Sequence, residues 1–80
     1  MTRLTVLYFA SLRDAAGCSR EAVDTGAADL AALYDGLRRR HGFALPRERL
    51  RVAVDGAFVR WSDAPRAGSE VAFIPPVSGG

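Results

Sequence analysis

One amphipathic helix stands alone among strand-like runs, and that imbalance leaves the chain few architectures. Leu30, Leu33, Tyr34, Leu37 and His41 follow one another at i, i+3, i+4, i+7 and i+11, the spacing of a single helical face. The face is apolar, with His41 as its polar tip. Asp29 is the expected N-cap, because its carboxylate accepts from backbone N–H groups that have no partner within the helix. Gly42 is the expected stop, after the basic turn Arg38-Arg39-Arg40 that complements the negative end of the helix dipole. Gly36 costs the helix up to ~1 kcal/mol relative to Ala, which a packed face absorbs.

The runs around the helix are rich in β-branched and aromatic residues. Residues 3–9 read as a strand. Alternation places Leu4, Val6 and Tyr8 on a core face and Arg3, Thr5, Leu7 and Phe9 on the other. Residues 10–16 suit a short helical turn ended by Gly17, and residues 20–24 a weakly patterned second strand. Asp55-Gly56 separates residues 50–54 from residues 57–61, and two residues of that type signal a tight hairpin. Its register sets Val54 opposite Ala57. Val52, Val54, Ala57 and Val59 then point inward, while Ala53, Phe58 and Arg60 point outward. Residues 63–68 form a loop broken by Pro65 and Gly68. Residues 70–74 make the last strand, with Val71 and Phe73 inward and Glu70, Ala72 and Ile74 outward; Pro75-Pro76 ends it.

One helix covers one face of a sheet, so the expected class is α+β, about five strands packed on one main helix. Phe9, Phe58 and Ile74 then share the uncovered face. A single exposed hydrophobe is ordinary; three on one face suggest a surface that meets a partner.

The 80 residues allow a single domain, 1–80, whose last residues, 75–80, project as a flexible tail. A domain of this size buries only roughly 60–65% of its unfolded surface, so no enclosed active site is expected. One Cys excludes an internal disulfide, and with one His it excludes a Cys/His zinc site, which takes about four ligands. Cys18 has no base or metal ligand near it in sequence and reads as an inert small residue. His41, at the helix end, reads as a capping or packing residue. All 11 basic residues are Arg, yet the net charge is only +2. The aromatics do not interleave with the arginines as a base-stacking surface requires, so no nucleic acid is expected as a partner. No run approaches the ~18 apolar residues of a membrane span. Residues 4–10 followed by Ala15-Ala16-Gly17-Cys18 imitate a lipoprotein leader, but Arg13 and Asp14 interrupt it. The expected location is the cytoplasm.

The chain closes on Pro75-Pro76-Val77-Ser78-Gly79-Gly80. Two prolines hold a segment extended, and two glycines without Cβ atoms pass through a narrow channel. A terminal carboxylate on such a probe can be activated in another protein's site; a frayed end is the bland alternative.

That ending, with Gly68-Ser69-Glu70-Val71-Ala72-Phe73-Ile74 before it, resembles the small, sulfur-carrying subunits of molybdopterin synthase. So do the opening Leu7-Tyr8-Phe9-Ala10-Ser11-Leu12-Arg13-Asp14 and the Val54-Asp55-Gly56 hairpin. Residues 18–50 match only loosely. The resemblance implies a ubiquitin-like β-grasp fold and a non-catalytic carrier subunit that binds no cofactor of its own. It implies that an E1-like enzyme uses ATP to adenylate the Gly80 carboxylate, and that a sulfur donor displaces AMP to leave a thiocarboxylate. The tail (Pro75, Pro76, Val77, Ser78 and Gly79) then carries the sulfur into the large subunit, which builds the dithiolene of molybdopterin. The assembly implied is a heterotetramer. Phe9, Phe58 and Ile74 match the family's hydrophobic contact surface, and Arg13 matches a polar contact position. Two other readings stay open: a sulfur carrier for thiamine, cysteine or thiolated RNA, and a ubiquitin-like interaction module that is never activated.

Overall fold

The computed structural model describes residues 1–76. In chain order the elements are β1 (Thr2–Tyr8), α1 (Ala10–Ala16), β2 (Arg20–Thr25), α2 (Leu30–His41), a 3-10 turn (Arg47–Arg49), β3 (Arg51–Val54), β4 (Ala57–Phe58) and β5 (Glu70–Ile74). The strands form one sheet in the order β2-β1-β5-β3-β4. β1 and β5 run parallel at its centre, and the remaining pairs are antiparallel. This mixed five-stranded sheet holding one main helix is the β-grasp arrangement expected from the sequence.

Helix α2 ends where its caps dictate. Asp29 Oδ1 accepts from the Ala32 N–H at 2.8 Å. Gly42 takes the left-handed conformation at φ 75°, and its N–H donates to the Arg38 carbonyl, an arrangement that glycine adopts without a Cβ penalty. Two further N–H groups at the helix start find partners in the loop after β4: Leu30 donates to the Asp63 carbonyl at 2.9 Å and Ala31 to that of Trp61 at 3.0 Å. The loop therefore serves as a cap.

The apolar stripe of α2 packs on the inward face of the sheet. Leu4, Val6, Tyr8, Val52, Val71 and Phe73 meet Leu30, Leu33, Tyr34 and Leu37, all buried. Trp61 stacks on Phe73, with ring centres 5.9 Å apart, and Tyr34 meets the same ring edge-on at 5.1 Å. Burial pushes the Tyr34 phenol above its ordinary value, and its hydroxyl donates to the Leu45 carbonyl at 2.6 Å.

The hairpin has the expected register, Val54 opposite Ala57 and Ala53 opposite Phe58. Asp55 and Gly56 both have positive φ, 50° and 87°, as the primed turns of two-residue hairpins require. Three details differ from the sequence expectation. The run 57–61 is a strand only over Ala57–Phe58; after one more rung, from the Val59 N–H to the Val52 carbonyl, the chain leaves the sheet to cap α2. Ala57 shares the inward face with its partner Val54 as expected, yet it is exposed, because it sits on a two-residue edge strand with no neighbour beyond it. Ala53 and Ala72 are on the outward face as expected, yet both are buried. They are cross-strand partners in the middle of the sheet, and a methyl group there lies below the level of its larger neighbours.

Candidate functional site

The sheet face turned away from α2 carries two of the expected contact residues, Phe58 and Ile74. Leu7 pairs with Ala72, Ala72 with Ala53, and Ala53 with Phe58. Because side chains in register share a face, these four make one apolar row across four strands. Ile74 lies two residues further along β5, opposite Arg51. Phe58 is 64% exposed and Phe9 45%; Ile74 is partly buried.

Phe58, Ile74, Pro75 and Pro76 line a shallow groove of about 310 Å³ together with Leu50, Arg49, Arg51 and Glu48. The groove lies at the root of the tail. The Arg51 guanidinium carbon stands 5.5 Å from the centre of the Phe58 ring, a cation–π contact worth about 0.5–1 kcal/mol at an exposed position. Arg51 and the buried pair Ala53 and Ala72 were not singled out from sequence. The outward alternation at Ala53 was the available signal, but alternation gives the direction of a side chain and not what its neighbours cover.

Phe9 is placed differently from the expectation. It is the extended N-cap residue of α1, not the end of β1, and stands one residue beyond the Tyr8–Phe73 pair. The chain turns sharply after it: Ala10 has φ 51°, a left-handed conformation that costs an L-residue roughly 1–2 kcal/mol. Arg13 is exposed on α1 and forms no ion pair among the described residues. Pro75 is partly buried and Pro76 exposed. Val77, Ser78, Gly79 and Gly80 lie outside the described residues.

A polar cluster that sequence reasoning missed joins the sheet to the end of α2. Glu21 Oε1 accepts from the Tyr8 hydroxyl at 2.7 Å and meets His41 Nε2 at 3.1 Å. Glu21 Oε2 lies 3.3 Å from Arg40. Burial alone pushes the Glu21 carboxyl up, but hydrogen bonds from Tyr8 and His41 and the Arg40 charge outweigh it and hold the group below its ordinary value. Burial, and then the bond to that carboxylate, push the Tyr8 phenol far up. Of the arginine cluster, Arg38 donates to the Phe43 carbonyl and Arg40 serves Glu21, so two of its three side chains work inside the molecule. Cys18 packs partly buried against the core. No helix among the described residues is long and apolar enough to cross a membrane.

Comparison with known proteins fits this geometry. Over 80 residues the chain is 31% identical to the molybdopterin synthase sulfur carrier subunit of Haemophilus influenzae, covering 96% of this chain and 99% of that one. The crystal structure of SAMP1 from Haloferax volcanii is 30% identical, with a TM-score of 0.79 over 98% of this chain and 99% of that chain. A chain in the complex of subunits 1 and 2 of molybdopterin-converting factor from Helicobacter pylori shares the fold at 19% identity, with a TM-score of 0.69 over 99% of this chain and 100% of that chain. Residues 6–80 match the ThiS family, and a match that takes in the sheet, the helix and the Gly79-Gly80 ending makes this chain a member of it.

Proposed function

We propose that this chain is the sulfur carrier subunit of molybdopterin synthase. The observation that carries this reading is the 31% identity along the whole chain to a named carrier subunit of that enzyme. The exposed groove at the root of the tail supports it, because a carrier has to dock before it delivers.

In the proposed cycle an E1-like enzyme joins the Gly80 carboxylate to the α-phosphate of ATP and releases pyrophosphate. The carboxylate oxygen thereby becomes part of a leaving group. Sulfide delivered by a sulfur donor attacks the acyl carbon, AMP departs with the former carboxylate oxygen, and Gly80 holds a thiocarboxylate. The sulfur is a better nucleophile than the oxygen it replaces, so one hard step becomes two easier ones. Phe9, Phe58 and Ile74 then dock on the large subunit, with Arg13 as a polar contact. Pro75, Pro76, Val77, Ser78 and Gly79 reach into its active site, where the large subunit aligns the reactants. The chain supplies the reactive atom and the docking face, its partners supply the pockets and ATP, and the work takes place in the cytoplasm within a heterotetramer. In reconstitution, the thiocarboxylated chain with the large subunit and cyclic pyranopterin phosphate gives the dithiolene; no dithiolene from a charged chain overturns the reading.

The 30% identity to SAMP1, a small archaeal modifier protein, favours a second reading, in which the activated Gly80 carboxylate passes to an amine. The chain has no Lys, so a lysine acceptor would lie on another protein. A chain that gains no sulfur but becomes attached to other proteins in an ATP-dependent manner would favour this second reading.

A further inference from the structure

The groove at Pro75 and Pro76 is lined by apolar residues and by two arginines, Arg49 and Arg51, against one acid, Glu48. We propose that Arg51 selects the partner: the surface that buries Phe58 also presents a carboxylate to the Arg51 guanidinium. This inference rests on the docking role given above to the open face.

Arg51 is opposite Ile74 across the β3–β5 ladder, and its guanidinium lies over the Phe58 ring. A surface that covers Phe58 therefore covers Arg51 as well. A guanidinium does not shed its proton in a protein, and removing it from water without a counter-charge is strongly unfavourable. No carboxylate among the described residues lies within ion-pair distance of it. Glu70 is engaged by Arg20 at 2.8 Å and Asp24 by Arg3 at 3.0 Å. The Asp55 carboxylate accepts the Glu70 N–H. Glu48, the one acid lining the groove, reaches Arg47 at 3.9 Å. Arg49 adds a second positive charge to the same groove.

The complementary partner is a protein surface with an apolar projection for Phe58 and Ile74, flanked by carboxylates. A surface with a neutral or basic rim at that position is rejected, because it would strand a buried charge. A phosphate-bearing surface would satisfy the guanidinium but leave Ile74 and Pro75 uncovered.

The test measures binding of the wild-type chain and of Phe58→Ala, Arg51→Leu, Arg51→Lys and Arg51→Glu to the molybdopterin synthase large subunit, at low and at physiological salt. Arg51 is exposed, so its variants should fold, which circular dichroism verifies. Arg51→Leu should bind roughly thirty-fold or more weakly and lose part of the salt dependence. Arg51→Glu should bind more weakly still. Arg51→Lys should restore part of the affinity, since lysine keeps the charge without the planar fork. If Phe58→Ala loses binding while Arg51→Leu and Arg51→Glu bind like wild type, the inference is overturned and the docking reading stands. If the wild-type chain does not bind, both fall together.

Discussion

The Tyr8 hydroxyl and the Glu21 carboxylate, 2.7 Å apart, tie the centre of the sheet to its β2 edge. Through the same oxygen, Glu21 meets His41 at the end of α2. One partly buried carboxylate thus fastens two strands and the helix that lies on them. The bond to a charged acceptor is among the stronger kinds of hydrogen bond in proteins.

Glu21→Gln should cost about 1–3 kcal/mol at neutral pH. The Glu21 carboxyl titrates below its ordinary value of 4.5 in the folded chain. Its contribution is therefore complete above that ordinary value and drains away as pH falls through the lower, folded value. Urea denaturation at neutral pH and in acid should show the variant less stable at neutral pH, with the gap closing in acid. A gap that stays constant through that range contradicts the account.

Phe58→Asp separates folding from docking. The ring is 64% exposed, and substitutions at such positions usually stay within about 0.5 kcal/mol of wild type. Binding to the large subunit should fall by about 2 kcal/mol or more, the loss expected when an anchor residue is replaced by a charge. Calorimetry on the purified pair measures it. Unchanged affinity would remove the open face from the docking surface.

Ala10→Gly should leave the chain as stable as wild type or raise its stability by up to about 1 kcal/mol. Ala10 holds φ 51°, a conformation glycine adopts freely, and the gain is limited by glycine's greater freedom in the unfolded chain. Thermal melting reports the change. A clear loss of stability would mean that the turn after Phe9 is not strained.

The hairpin was legible because Asp55-Gly56 specifies both a turn type and a register, and Asp29, Gly17 and Gly42 marked the helix ends by local chemistry alone. What escaped was set by distant parts of the chain. Trp61 leaves the expected strand because its carbonyl, like that of Asp63 in the loop beyond, is taken by an N–H at the start of α2, a demand made by a helix about thirty residues earlier. Ala53 is buried between neighbours on two strands, Ala72 and Phe58. Glu21 sits in a weakly patterned strand, and only the packing of His41 and Tyr8 beside it gives it a role. On the open face, Phe58 and Ile74 followed from alternation, whereas the Arg51 contact needed the β3–β4 register and a side-chain direction that period two does not provide.

The proposed function stands or falls on whether Gly80 carries sulfur. Intact mass of the chain after incubation with its E1-like activating enzyme, ATP and a sulfur donor tests it most directly, with a Gly80 deletion as control. A mass increase equal to one oxygen replaced by sulfur is expected, dependent on ATP and absent from the deletion variant, which should fold normally. A wild-type chain whose mass does not change, or a deletion variant that charges as well as wild type, would contradict it.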